Sequence, residues 1–173
     1  MISTQAMILN AGLSTRMRPL TLDKPKSILP LLDRRMLDWS CDYLRFFGVQ
    51  EVACNVHHGK EAFYQEHQRQ EFPLPLTLFE EKTLRGTGGG IAGMQSFVKG
   101  QHVWVINCDF LCEVDLRKVA QTHEKSGALV TMVTIPNAQP DRYSSLGIGP
   151  DGVITALSSY QNTNVPTIKE EMF

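Results

Sequence analysis

Apolar and polar positions alternate in two rhythms along the chain. Residues 5–9, QAMIL, form a short apolar run that predicts a buried strand. Residues 36–48, MLDWSCDYLRFFG, place Leu37, Cys41, Leu44 and Phe47 at helical spacing and stop at Gly48. EVACNV (51–56) is β-rich, KEAFYQEHQRQ (60–70) is polar and helical, and LPLTLFEE (74–81) reads as a strand. GIAGMQSFV (90–98) predicts a short helix and QHVWVIN (101–107) a buried strand. DLRKVAQTHEKSG (115–127) is an amphipathic helix with a glycine stop, and ALVTMVTI (128–135) is a further strand. This order predicts an α/β fold: βαβ units and a mostly parallel central sheet with helices on both faces. After Ile135 the rhythm loosens. LGIG (146–149) and VITAL (153–157) flank a Pro-Asp-Gly turn, and residues 161–173 carry no signal of a packed element.

Ligands of such sheets bind beyond the carboxyl ends of the strands. Three loops follow strands in this way, 10–21, 82–90 and 107–113, and each has unusual chemistry, so they are read together as one candidate site. The totals narrow what that site can be. A chain of 173 residues with 42% hydrophobic and 20% charged residues is one ordinary globular domain, spanning 1–173. A formal net charge of -1 provides no global field for nucleic acid or anionic membrane, so an anion site must be local. No apolar run approaches the ~18 residues of a membrane span. The N-terminus lacks the basic and long apolar regions of a signal peptide, so a cytoplasmic protein is expected. Cys41, Cys54, Cys108 and Cys112 form no CxxC pair and complete no zinc pattern with the five histidines. Cys41 and Cys54 are read as reduced core residues.

The first loop concentrates positive charge. In LNAGLSTRMRPLTLDKPKSILPLL (9–32), Gly12 permits a sharp turn directly after the strand. Ser14 and Thr15 are small hydrogen-bonding residues, and such a loop aims several backbone N–H groups at one anion. Arg16 adds a planar fork suited to phosphate oxygens. Pro19, Pro25 and Pro30 stiffen the segment, and Lys26 returns toward the same anion from another side. No GK[ST] follows the glycine, so this is not a Walker A loop.

This stretch resembles the signature of the sugar-1-phosphate nucleotidyltransferases, the nucleoside-diphosphate-sugar pyrophosphorylases, which read approximately L-A-A-G-x-G-T-R-L-x-P-L-T-x-x-x-P-K-x-L-x-P. Asn10 stands where that family usually has alanine, and Ser14 where it usually has glycine. The resemblance continues in LRGTGGGI (84–91), similar to L-G-T-A-G-G-I and closer to the L-x-T-G-G-G-I of the N-acetylmuramate-1-phosphate uridylyltransferase branch. The mannose-1-phosphate guanylyltransferases are the neighbouring branch. It continues again in VWVINCDFL (103–111), whose Asn-Cys-Asp matches the family's N-G-D with Cys108 in place of glycine. The rival reading is a dinucleotide-binding Rossmann domain, because Gly88, Gly90 and Gly93 match GxGxxG and Asp109 follows about twenty residues on. A true fingerprint starts at the end of its strand. Here KTLRGT intervenes, and the basic first loop would go unexplained.

The resemblance implies a three-layer Rossmann-like fold of the glycosyltransferase-A kind. It also implies transfer of a nucleoside monophosphate from UTP or GTP to a sugar 1-phosphate, with release of pyrophosphate. It places the nucleotide on Leu9, Asn10, Ala11, Gly12, Leu13, Ser14, Thr15, Arg16, Lys26, Thr87, Gly88 and Gly89. Arg16, Lys26 and Asp109 are the implied catalytic residues, with Asp109 holding Mg²⁺. A Cβ at Gly88 or Gly89 would obstruct the approaching base. His57 and His58 are read as structural or rim residues rather than metal ligands. The implied partners are small molecules, with neither nucleic acid nor membrane, and homo-oligomerisation is left open. The segment whose lysine contacts the sugar phosphate would fall at 156–161, where there is none. Family members continue with further strands and a second metal-binding aspartate, so the chain reads as truncated at its C-terminus. That gap sustains an alternative, a nucleotide-binding regulatory or assembly module that does not catalyse transfer.

Overall fold

A computed structural model describes residues 3–138, 145–157, 160–161 and 169–172. The chain divides into two compact units, residues 1–117 and 118–173. The first is built on strand β1 (Gln5–Leu9), which pairs in parallel with β4 (Glu51–Val56) on one side and β6 (Trp104–Asn107) on the other. Strand β5 (Leu76–Glu80) joins the far side of β4, also in parallel, giving the order β5-β4-β1-β6. Between β1 and β4 lie a two-strand hairpin, β2 (Pro30–Leu31) and β3 (Arg34–Arg35), and helix α1 (Met36–Phe46). Helix α2 (Lys60–Arg69) connects β4 to β5, and α3 (Gly86–Gly93) connects β5 to β6.

The period-two geometry of strands sorts the core into two layers. Ala6 and Ile8 of β1, with Val52, Cys54 and Val56 of β4, pack with Leu37, Cys41 and Leu44 of α1 and Phe63 of α2. Met7 and Ala53 point the other way, onto Met94 and Phe97 behind α3. Helix, sheet and helix thus form three layers, and the central strands are buried on both faces, which is why they read as unbroken apolar runs.

Helix α1 starts where its sequence predicts, for a reason the periodicity does not show. Asp38 Oδ2 accepts a hydrogen bond from the Arg35 backbone N–H at 3.1 Å, closing the first turn. The Arg35 guanidinium is itself buried. It donates to Asp38 Oδ1 at 2.9 Å and to the carbonyls of Gln70 and Glu71, and lies 3.9 Å over the Phe72 ring. This satisfied cation fastens the start of α1 to the segment that follows α2.

Helix α3 begins at Gly86, four residues before the expected start, and a 3₁₀ turn over Gln95–Phe97 follows it. Five glycines make a poor helix in isolation. Packing against the sheet sustains it, since Gly90 is buried against β1 and β4 side chains.

The second unit receives most of α4 (Leu116–Ser126), which ends as expected at Gly127 with φ +62°. Strands β8 (Leu146–Ile148) and β9 (Ile154–Leu157) form the expected antiparallel pair around the Pro-Asp-Gly turn. Two results differ from expectation. The strand read over 128–135 is reduced to β7 (Ile135–Pro136), and Leu129 and Val130 are exposed. A strand exists by pairing, and residues 128–133 take part in no strand ladder among the described residues. Conversely, the tail contains β10 (Tyr160–Gln161), paired with β9, and β11 (Lys169–Met172), paired with both β8 and β7. Its polar composition hides a ladder that backbone groups alone make. Among the described residues no helix is long and apolar enough to cross a membrane.

Phe63 is fully buried and stacks on Phe72 with centroids 5.5 Å apart. Phe63→Ala is expected to cost about 3–5 kcal/mol of stability, measured by urea unfolding of the two proteins.

Candidate functional site

Four parallel strands end on one edge of the sheet, so the loops after β1, β4, β5 and β6 start there together. All thirteen residues expected at the site belong to the first unit.

The loop after β1 is tied down at its root and open beyond it. Leu9 O accepts from Cys108 N–H at 3.2 Å, and Asn10 N–H donates to Asn55 Oδ1 at 2.7 Å. Asn10 therefore has no backbone N–H to spare for a phosphate, and its side chain is turned into the core beside the Cys54 thiol. Neither Oδ1 nor Nδ2 of Asn10 has a well-formed hydrogen bond among the described residues. Ala11 is buried, whereas Gly12, Leu13, Thr15 and Arg16 are exposed. Among the described residues no acceptor is paired with the backbone N–H of residues 12–16. These amides suit an anion.

Ser14 adopts a left-handed conformation with φ +51°. That is the backbone a glycine adopts freely and serine at some cost, which accounts physically for glycine being usual there in the resembling signature. Thr21 Oγ1 donates to Ser14 O at 2.8 Å and secures the turn from the far end of the loop.

Lys26 is placed by its neighbours. Ile28 enters the α1 core layer, and Pro25 packs against Gly59. Gly59 has φ +64°, and a Cβ there would stand 2.7 Å from Lys24 Cα and Pro25 Cδ, so only glycine allows this approach. Lys26 Nζ then meets Asp109 Oδ2 at 2.6 Å, across 83 residues of sequence. Arg16 is not drawn into this pair. It is exposed and makes no ion pair among the described residues.

His57 and His58 each hold a loop. His57 Nδ1 lies 2.7 Å from Glu81 O and His58 Nε2 lies 2.7 Å from Thr21 O, and a carbonyl only accepts, so each ring nitrogen donates.

In the glycine-rich segment Thr87 and Gly88 are exposed, and a Cβ on Gly88 would meet nothing within 4 Å. The close packing falls on its neighbours. A Cβ on Gly89 would clash with Arg85 Cβ, and one on Gly90 would stand 2.6 Å from Asn55 Nδ2.

Asn55 and Glu81 are site-forming residues that the motifs did not single out. Asn55 Nδ2 donates to Glu81 Oε1 at 2.7 Å, and Glu81 Oε2 accepts from Arg85 N–H at 3.2 Å. The available signal was one polar residue inside the otherwise apolar run of β4.

Asp109 is the residue suited to a cation. Among the described residues no group of three or more His, Cys, Asp or Glu side chains is placed to hold a metal ion, so no closed protein cage exists there. A single carboxylate, 42% exposed at a strand end, fits Mg²⁺, which retains waters and takes phosphate oxygens as ligands. Of the segment where a sugar-phosphate lysine would fall, residues 158 and 159 lie outside the described residues. A cavity of about 640 Å³ lies apart from all these groups, lined by Arg34, Asp38, Asp42, Arg45, Glu66 and Phe72. There Arg34 and Arg45 pair with Asp42, and Arg35 pairs with Asp38.

Comparison with known proteins identifies the family and the fold. A family described as Nucleotidyl transferase matches residues 5–159. The chain is 31% identical to the D-glycero-alpha-D-manno-heptose 1-phosphate guanylyltransferase of Campylobacter jejuni, covering 70% of this chain and 54% of that one. It is 28% identical to the mannose-1-phosphate guanylyltransferase catalytic subunit beta of Dictyostelium discoideum, covering 80% and 40%. With the UTP–glucose-1-phosphate uridylyltransferase of Synechocystis it shares 27% identity over 97% and 50%. The chain thus spans about half the length of the curated relatives it matches. The fold is that of the crystal structure of HddC from Yersinia pseudotuberculosis complexed with GMP-PN, with a TM-score of 0.74 and 21% identity over 97% of this chain and 72% of that one.

Cys108 occupies the strand end itself. Its thiol is fully buried, and burial pushes it up to about 12; Cys41 is likewise pushed up to about 12, and burial raises Cys54 well above the ordinary range. Cys112 is only half-buried. Alkylation of the native protein at pH 8 is expected to modify Cys112 and spare the other three, read by peptide mass mapping. Because the folded values are raised, the stability from burying neutral thiols is complete below about pH 9, where unfolded thiols begin to ionise. It is lost as pH rises from there toward 12, so the urea midpoint is expected to fall between pH 9 and 11.

Proposed function

The chain belongs to the nucleotidyl transferase family, and from that premise we propose that it transfers a nucleoside monophosphate from GTP or UTP to a sugar 1-phosphate. The observation that carries this reading is the Lys26–Asp109 pair, set at the strand ends beside a loop whose amides at 12–16 are open. A polyphosphate needs what this edge offers: backbone donors, mobile cationic side chains and a carboxylate for a hard cation.

In the reaction an oxygen of the sugar phosphate attacks the α-phosphorus in line. The bond from the α-phosphorus to the bridging oxygen breaks, and pyrophosphate leaves with that electron pair. No covalent enzyme intermediate is required, so the protein contributes position and charge. The amides of residues 12–16 cradle the triphosphate, and Arg16, free in solvent, closes on the β- and γ-phosphates. Lys26 exchanges Asp109 Oδ2 for an α-phosphate oxygen and stabilises the charge that develops there. Asp109 would hold Mg²⁺, which supplies neutralisation of the phosphate oxygens. The exposed edge at Thr87 and Gly88 leaves room for the base.

Both GTP-using and UTP-using proteins stand among the relatives, so the base is decided by measurement. In a thermal-shift panel of GTP, UTP, dTTP and CTP with Mg²⁺, GTP or UTP is expected to raise the Tm most. No shift with any of the four overturns the reading. In a pyrophosphate-release assay with mannose, glucose and heptose 1-phosphates, Lys26→Ala is expected to lower kcat by about 10²–10³. Full activity in that variant removes Lys26 from its role. Nucleotide binding without turnover by the unsubstituted chain would favour a binding module instead.

A further inference from the structure

We propose that Asn55 and Glu81 are positioning residues, a buried polar pair that holds loop 10–16 and helix α3 in one register so that both reach the same nucleotide. The proposal rests on the nucleotide reading above. Asn55 and Glu81 are 4% and 6% exposed, and one bonds the root of the loop while the other bonds the residue before α3. The bond between them completes a continuous chain: Asn10 N–H to Asn55 Oδ1, Asn55 Nδ2 to Glu81 Oε1, and Arg85 N–H to Glu81 Oε2. Gly90 closes the arrangement from the middle of α3, because a Cβ there would stand 2.6 Å from Asn55 Nδ2 and 3.0 Å from Glu81 Oε1. The pair therefore touches both elements expected to flank a nucleotide and none of the groups expected to react.

A purely architectural role fits these groups poorly. Glu81 makes no ion pair among the described residues, and a buried carboxylate without a cation is a costly way to fill a core. An amide and a carboxylate do, however, fix direction. Their hydrogen bonds are satisfied in one relative placement of the two loops and broken in others.

The test uses the direction of the central bond. In N55D a carboxylate oxygen faces Glu81 Oε1, acceptor against acceptor. In E81Q the new amide N–H₂ faces either Arg85 N–H or Asn55 Nδ2, donor against donor. In the double variant N55D/E81Q all three bonds can form again with the central one reversed: the new carboxylate accepts from Asn10 N–H and from the new amide, whose oxygen accepts from Arg85 N–H. GTP and UTP dissociation constants and the Tm are measured for all four proteins. Each single variant is expected to bind about tenfold or more weakly. The double variant is expected to return to within about threefold of the unsubstituted chain, the signature of a coupled pair.

Single variants that melt earlier yet bind nucleotide with unchanged affinity overturn the proposal. Should the single variants not fold, G90A carries the test, since it keeps both polar side chains and only presses on them. Weaker binding by G90A supports the proposal, and unchanged affinity overturns it. If the unsubstituted chain binds neither GTP nor UTP, the nucleotide reading fails and this inference falls with it. If it binds and the variants bind equally well, this inference fails alone.

Discussion

The candidate site depends on β1 being paired in parallel on both sides. Ile8 stands opposite Cys54 on β4 and opposite Ile106 on β6. Parallel neighbours cannot be joined by a tight turn, so each connection must cross back over a face of the sheet. Every strand then releases its chain at the same edge, and loops remote in sequence meet there. The register is equally constrained. A slip of one residue would exchange Met7 and Ile8 between layers and carry Asn10 away from Asn55.

The sheet and its helices were legible because they are periodic. Leu37, Cys41 and Leu44 recur along one helical face and are all fully buried, and β1 and β4 read as buried runs because both of their faces are covered. The loop chemistry was legible as residue type: Gly12, Lys26 and Asp109 stood out in local patterns. What the patterns could not express is who meets whom. The Lys26–Asp109 bond and the Asn55–Glu81 bond are facts of topology, visible only once four strands share an edge. Helix α3 was misjudged at its start because its glycines argue against a helix locally, and tertiary packing prevails. The segment 128–133 shows the converse, strong β propensity that takes part in no strand ladder among the described residues.

Some local rules are broken at this edge. Ser14 takes a left-handed backbone, the Asn10 side chain is buried without a well-formed hydrogen bond, and buried Ser27 Oγ, next to Lys26, also lacks one among the described residues. Each departure costs stability that a purely structural loop would recover. They sit beside open amides and an ion pair, as the proposed site would require, although Leu32 with φ +60° and buried His67 Nδ1 show similar departures elsewhere in the unit. Arg35 offers the contrast within the same unit: a buried cation, away from the edge, with carboxylate, carbonyl and aromatic partners all in place.

The sequence separations in these bonds have a kinetic meaning. Lys26 and Asp109 are 83 residues apart, Asn10 and Asn55 are 45 apart, and Asn55 and Glu81 are 26 apart. Contacts between distant residues form after the entropy of closing long loops has been met, so this edge is expected to assemble late. Helices α1 and α2 acquire their turns from neighbouring residues, whereas the proposed anion cradle has no existence in any short fragment of the chain. The proposed site is a property of the completed sheet, and a nascent chain can assemble it only once β6 is free to pair with β1.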